Sequence, residues 1–251
     1  MRPVLFTWGR IRVYSYPAML YLGLVFGITA GNYMANLTGQ DTARAYAATI
    51  LLLIPALAGA RLVFVALHWN VYQAHTERIW RRSDGGMSMY GGLPLSLPLS
   101  VPLLSALGLG FGAFWDVAGV TMLVGLILTR IGCFLNGCCA GRPSIGRFAL
   151  CLPNHDGTNV RRIPTQLFES AWGAVVLLTG LSVREHLPIQ GELFVFILGM
   201  YAAGRSLLEF CREHTADRRW MGTLERAFSP VLAALAFGFL TLWIVRGRIG
   251  N

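Results

Sequence analysis

Seven stretches of this chain are apolar for long enough to cross a lipid bilayer. A helix needs about 20 such residues to span the hydrocarbon core. Segments of that length lie at about 17–36, 46–68, 91–110, 116–135, 165–183, 190–210 and 228–246. The pattern predicts an all-α, polytopic membrane protein of about seven transmembrane helices. One transmembrane domain would then occupy residues 1–251, with a short extramembrane loop at about 137–164. The third span is unusual: Leu93-Pro94-Leu95-Ser96, Leu97-Pro98-Leu99-Ser100 and Val101-Pro102-Leu103 repeat every four residues. Each proline removes a backbone donor, so a bent, protein-contacted helix is expected, with Ser96 or Ser100 satisfying the freed carbonyls; a partly unwound segment is the alternative.

The polar positions that interrupt this pattern carry the functional signal. The fourth span ends in Arg130-Ile131-Gly132-Cys133-Phe134-Leu135-Asn136-Gly137-Cys138-Cys139-Ala140-Gly141-Arg142-Pro143-Ser144. An arginine at the centre of a membrane helix costs roughly 2.5–3.5 kcal/mol on insertion scales, so intramembrane charges generally mark a site. Glycines and Pro143 break the helix here, and irregular backbone at membrane depth survives only when protein or a wet cavity surrounds it. The stretch reads as the floor of a polar pocket at one membrane face. Gln166 and Glu169 interrupt the fifth span, and Arg205 and Glu209 the sixth. Tyr201, Arg205 and Glu209 are four apart and share one helix face. Arg205 and Glu209 either pair with each other or serve a ligand. Further polar clusters are Tyr14-Ser15-Tyr16, Arg61 in Ala58-Gly59-Ala60-Arg61, and Gly85-Gly86-Met87-Ser88-Met89-Tyr90-Gly91-Gly92.

Composition sharpens this picture. With 55% hydrophobic and only 13% charged residues and a mean hydropathy of +0.54, the chain falls outside the soluble globular range. The net charge is +9, and every one of the 21 basic residues is arginine. Genome composition is one reason for such a bias. The other is that guanidinium forks grip phosphate bidentately, as ammonium groups do not. A basic membrane protein also suits anionic membrane lipids. Nucleic acid is excluded as a partner, because the arginines are dispersed among apolar spans. Several intramembrane arginines with few acids beside them call for an anion, and a phospholipid phosphate fits.

The five cysteines (133, 138, 139, 151 and 211) are an odd number and argue against a closed disulfide framework. Cys133, Cys138 and Cys139 admit a metal or redox reading, but C-x4-C-C is not a recognisable zinc spacing, and cysteines are common small apolar fillers in helices. No metal and no cofactor are expected. His155 in the loop is a candidate base, whereas His68 and His75 lie near a membrane edge. Trp8, Trp69, Trp80, Trp115 and Trp220 suit either interfacial belts or ordinary packing. The apolar segment after Met1–Tyr16 is too long for a cleaved signal peptide and reads as a retained span.

Five motifs in order resemble the prolipoprotein diacylglyceryl transferase family across nearly the whole chain. They are Gly85-Gly86-Met87-Ser88 with Gly91-Gly92; Arg130-x-Gly132-x-Phe134-x-Asn136-Gly137; Gly141-Arg142-Pro143; Arg162-x-Pro164-Thr165-Gln166-Leu167-Phe168-Glu169; and Tyr201-x-x-x-Arg205-x-x-x-Glu209-Phe210. The resemblance implies seven helices around a phospholipid-binding cavity in the bacterial cytoplasmic (inner) membrane, with the active site towards the extracytoplasmic face. It implies transfer of a diacylglyceryl group from phosphatidylglycerol to the lipobox cysteine thiol of a prolipoprotein signal peptide, releasing glycerol phosphate. Arg130, Arg205 and Tyr90 would be the catalytic positions. Tyr14, Arg61, Asn136, Gly141, Arg162, Gln166, Glu169, Tyr201 and Glu209 would bind substrate.

The chain departs from the family at four places: Tyr90 stands for a histidine, Cys133 for an asparagine, Cys138 for a glutamate, and the insertion between the fourth and fifth spans is short, covering about 143–162. The alternative is therefore a diverged phospholipid-binding paralogue, either a pseudoenzyme or a transferase with another acceptor. Arginine counts would put the N-terminus in the cytoplasm. The resemblance puts it outside and is preferred, because Arg130, Arg142, Arg162 and Arg205 are then site residues rather than topology signals.

Overall fold

The structure, a computed structural model, describes residues 4–9, 11–73, 76–79, 89–153, 158–187, 189–212 and 229–238. It is mostly helical, as expected. The helices are α1 (Ser15–Leu37), α2 (Thr42–Leu67), the short α3 (Trp69–Tyr72), α4 (Met89–Leu107), α5 (Phe111–Asn136), α6 (Thr165–Val183) and α7 (Glu192–Glu209), then α8 (Ser229–Gly238). Each apolar stretch read from the sequence falls on one of the long helices or on α8. Among the described residues, α1, α2, α5 and the α6 segment are long and apolar enough to cross a membrane by themselves. The chain is a multi-pass membrane protein.

Two antiparallel hairpins qualify the all-α expectation. β1 (Val4–Trp8) pairs with β2 (Ile11–Tyr14) ahead of the first span. β3 (Leu150–Pro153) pairs with β4 (Asn159–Arg162) inside the loop between α5 and α6. Both are short strands whose sequence signal is dominated by the neighbouring apolar spans.

Residues group into two compact units, one of residues 35–114 and one of residues 1–34 with 115–251. In the first, the Asp41 carboxylate caps α2 by accepting hydrogen bonds from the Ala43 and Arg44 amides at 3.0 and 3.1 Å. α2 then packs on α4 where Gly59 and Gly91 meet: a β-carbon on either would run into the other's carbonyl. Small residues let helix backbones approach this closely in lipid, where packing rather than water exclusion drives association. Prolines 94, 98 and 102 all lie within α4, which continues through them. Ser96 donates to the Gly92 carbonyl and Ser100 to that of Leu97, each at 2.7 Å. Those acceptors are not the carbonyls of Tyr90, Pro94 and Pro98 that the prolines release, which corrects the expected role of these serines.

In the second unit, α1 lies against α5 through Gly23, Gly27 and Gly31, spaced by four on one face. A β-carbon at Gly27 would sit 2.6 Å from the Thr121 carbonyl oxygen. α6 packs on α7, and the Trp172 indole donates to the Met200 carbonyl at 3.0 Å. The start of α7 lacks a side-chain cap of its own, its N-cap being Gly191 at φ +100°. Asp116 of α5 supplies one, accepting from the Gly191 and Phe194 amides at 2.8 Å each. Trp115 is buried and packs on Phe194 with ring centroids 5.0 Å apart, so it is a packing tryptophan. Trp69 is half exposed. The side chain of Trp8, and Trp80, Trp220 and the seventh span beyond residue 238, lie outside the described residues.

Asp116→Ala removes both bonds and leaves two helix amides unpaired. It should lower stability by about 1–2 kcal/mol, read as a fall in the thermal unfolding midpoint in detergent. Asp116→Asn, which keeps an acceptor, should recover most of that loss.

Candidate functional site

Helices alternate direction through a membrane, so the end of α5, the start of α6 and the end of α7 share one face. Irregular backbone joins them there. Gly137 takes φ +79° after α5, the Cys138 amide donates to the Cys133 carbonyl, and the Gly137 amide donates to that of Phe134, both at 3.1 Å. This pair of bonds is a Schellman stop, which needs the left-handed backbone that glycine adopts most easily. The chain then runs alongside two others. The Gly141 amide donates to the Ile163 carbonyl and the Arg142 amide to that of Cys211, each at 2.9 Å. A β-carbon at Gly141 would lie 2.5 Å from the Cys211 oxygen, so only glycine fits. At the start of α6, Thr165 and Gln166 donate to the Cys139 and Cys138 carbonyls at 3.1 and 2.6 Å.

Glu169 occupies the centre of this junction with 1% of its side chain exposed. Arg130 of α5 pairs with its Oε2 through Nε. From α7, Arg205 approaches Oε1 at 2.7 Å, and Arg212, just beyond the helix, approaches the same oxygen at 3.7 Å. Arg205 also meets Glu209 one turn on at 3.4 Å. Among the described residues, three guanidiniums thus face two carboxylates, an excess of positive charge. The phenol of Tyr201 stands among Glu169, Arg130 and Arg205. Removing one partner of a buried ion pair leaves the other charge uncompensated, whereas the intact pair adds little net stability. A buried cluster with surplus positive charge is therefore poor scaffolding and a good anion receptor.

Alongside Arg130 the sulfurs of Cys133, Cys138 and Cys139 lie within 4.8 Å of one another. This differs from the small-filler reading of these cysteines, because the Schellman stop folds residues 138 and 139 back towards the last turn of α5. Cys139 is held at φ +61°, rare for a residue with a β-carbon. The Cys138 thiol donates to the Cys133 carbonyl at 3.6 Å, and the Arg130 and Arg212 guanidiniums stand beside the Cys139 sulfur.

Known proteins resemble this chain over nearly its whole length. The family model described as prolipoprotein diacylglyceryl transferase matches residues 3–244. The chain belongs to the prolipoprotein diacylglyceryl transferase family. Among its relatives is the phosphatidylglycerol–prolipoprotein diacylglyceryl transferase of Geobacillus kaustophilus, 29% identical over 96% of this chain and 91% of that protein. Proteins of the same description in Halalkalibacterium halodurans and Geobacter sulfurreducens are 28% and 30% identical, over 96% and 90% of this chain and 85% and 87% of theirs.

The residues singled out from the family motifs fall in several places. Arg130, Gln166, Glu169, Tyr201, Arg205 and Glu209 come together around the junction. Asn136 is exposed at the end of α5, and Arg162 is buried at the end of β4, bridged to Pro143. Tyr14 closes β2 and is half exposed. Arg61 belongs to the unit of residues 35–114. There its Nε donates to the Ile79 carbonyl at 2.6 Å, and its guanidinium lies over the Tyr72 and Phe64 rings at 5.4 and 5.7 Å. The Tyr90 side chain, the Gly85–Ser88 motif, His75 and His155 lie outside the described residues.

Sequence reasoning missed two residues of the junction. Tyr16 neighbours Arg130 and the three cysteines, and its signal was its place in the Tyr14-Ser15-Tyr16 cluster. Arg212 lies just beyond α7, and its signal was a third polar residue following Arg205 and Glu209 at the end of the sixth span.

Glu169→Gln should cost about 3–5 kcal/mol, because it strips the common partner from three guanidiniums. Thermal unfolding in detergent measures this. A midpoint equal to wild type would mean that the arginines are balanced by other groups.

Proposed function

We propose that this chain transfers a diacylglyceryl group from phosphatidylglycerol to the thiol of a lipobox cysteine in a prolipoprotein signal peptide. The reading is supported above all by the excess of guanidinium over carboxylate around Glu169, at the residues that carry the family's motifs. Phosphatidylglycerol brings the phosphate monoanion such a cluster is built to receive. Arg130 engages Glu169 through Nε, the edge of the guanidinium that leaves its terminal amino groups for bidentate contact with phosphate. Arg205 fixes the far side of the same carboxylate. Tyr201 and Gln166 orient the headgroup, and Asn136 and Tyr14 border the entrance.

In the reaction the thiol sulfur attacks the glyceryl carbon that bears the phosphate ester, losing its proton to a phosphate oxygen as it does so. A carbon–sulfur bond forms as the carbon–oxygen bond breaks, and glycerol phosphate departs with the electron pair. Negative charge grows on the phosphate oxygens as that bond breaks, so arginines already in place lower the barrier without reorganising. A phosphate monoester has a second pKa near 6. The departing group is thus a competent acceptor for the thiol proton, and this route needs no histidine at position 90. Tyr90 would then steer substrate rather than act as a base, since a phenol near pKa 10 is a weak base at neutral pH. The enzyme would sit in the bacterial inner membrane with this junction towards the extracytoplasmic face, where signal peptides emerge. Cys133 and Cys138 favour a second reading, in which the same phospholipid site serves a different acceptor.

The test is mass spectrometry of a lipobox peptide incubated with the purified chain and phosphatidylglycerol. The expected outcome is a thioether-linked diacylglyceryl adduct and free glycerol phosphate. Arg130→Lys should lower the rate by about 100-fold, because a point charge replaces a two-pronged grip. Release of glycerol phosphate without peptide modification would favour the second reading. Wild-type rates in Arg130→Lys would contradict the assigned role of Arg130.

A further inference from the structure

We propose that Cys133, Cys138 and Cys139 form a three-thiolate site for a thiophilic d10 cation such as zinc(II), cadmium(II) or copper(I). The transfer of a lipid uses none of these sulfurs, so the inference stands apart from the functional reading above. Its basis is geometric. One sulfur comes from the last turn of α5 and two from the segment that the Schellman stop turns back on that helix. All three atoms lie within 4.8 Å of one another. Zinc–sulfur bonds of about 2.3 Å require sulfurs roughly 3.8–4.0 Å apart in tetrahedral or trigonal coordination. The three are therefore close to a coordinating arrangement, and side-chain rotations of about 1 Å complete it.

The three sulfurs differ in access, as a usable site requires. Cys133 is buried, Cys138 intermediate and Cys139 exposed, so an ion enters past Cys139 and is sealed by Cys133. A fourth position on the Cys139 side stays open to water, the arrangement zinc adopts when only three protein ligands are present. Copper(I) is satisfied by three sulfurs alone. Soft thiolates discriminate against magnesium and calcium, which take oxygen ligands. The Arg130 and Arg212 guanidiniums face Cys139 and offset the negative charge of the thiolates. The left-handed backbone at Cys139 is the conformation that holds its sulfur next to the other two, while a glycine there would be more comfortable. Binding converts the coordinating thiols to thiolates and releases their protons to solvent.

The test is a titration of the reduced, detergent-purified full-length chain with cadmium(II), followed by the ultraviolet thiolate-to-cadmium charge-transfer absorption. The expected result is saturation at one ion per chain, with zinc(II) or copper(I) competing for the same site and magnesium having no effect. Cys139→Gly should weaken binding by at least about tenfold, since even second-shell losses at metal sites cost 10–100-fold. This substitution suits the left-handed backbone, so a folded variant is available. Cys133→Ser with Cys138→Ser should abolish the band, whereas Cys151→Ser should leave it unchanged. Three results would overturn the proposal. They are no charge-transfer band in the wild type, an undiminished band in Cys139→Gly, or a disulfide joining two of the three cysteines in protein alkylated at anaerobic lysis.

Discussion

The Glu169 carboxylate, 1% exposed and flanked by Arg130, Arg205 and Arg212, is the constraint to which the rest of the junction answers. An ionised acid and three guanidiniums at a membrane edge are costly individually. They are tolerable only when held within contact distance, which requires three helix ends to meet. The α5 stop at Gly137, the α6 start with its Thr165 and Gln166 bonds to the 138–139 backbone, and the strand-like pairing of Gly141 and Arg142 with residues 163 and 211 all serve that meeting. Remote contacts serve it too. Asp116 caps the opposite end of α7, and Trp172 over Gly204 fixes α7 against α6 at the residue next to Arg205.

The cluster is a poor way to gain stability, because buried ion pairs roughly balance their desolvation. Its positive excess makes sense as a receptor. Relatives named as phosphatidylglycerol–prolipoprotein diacylglyceryl transferases and the geometry of the cluster both support the ligand chemistry proposed above. One line of support rests on sequence identity spread over the whole chain, the other on the atoms of a few side chains. The departures at Cys133 and Cys138 fall beside this receptor, where they add a sulfur cluster without removing any guanidinium.

The spans were legible because apolar runs of bilayer length are rare outside membrane helices. Tyr201, Arg205 and Glu209 were legible as one face because their spacing is a local property of a helix. The pairing of Arg205 with Glu169 was not, since the two lie 36 residues apart on different helices and sequence periodicity says nothing about which faces meet. Arg61 shows the limit from the other side. Its residue type and depth suggested substrate binding, but nothing in the sequence disclosed that a carbonyl and two aromatic rings stand beside its guanidinium within its own unit. The two hairpins escaped notice because strands of four or five residues among prolines, glycines and arginines carry little periodic signal. The thiol cluster depended on a turn whose glycine was visible but whose fold-back was not. The prolines of α4 were correctly read as helical, but the serines bond to carbonyls other than those the prolines release.

The central claim is that the junction around Glu169 receives an anionic phospholipid headgroup. Native mass spectrometry of the chain released from mixed micelles tests it directly, with phosphatidylglycerol and zwitterionic phosphatidylcholine of identical acyl chains supplied equally. The account predicts selective retention of phosphatidylglycerol by the wild type and loss of that selectivity in a folded Arg130→Gln variant. Equal retention of the two lipids by the wild type, or undiminished selectivity in Arg130→Gln, would contradict it.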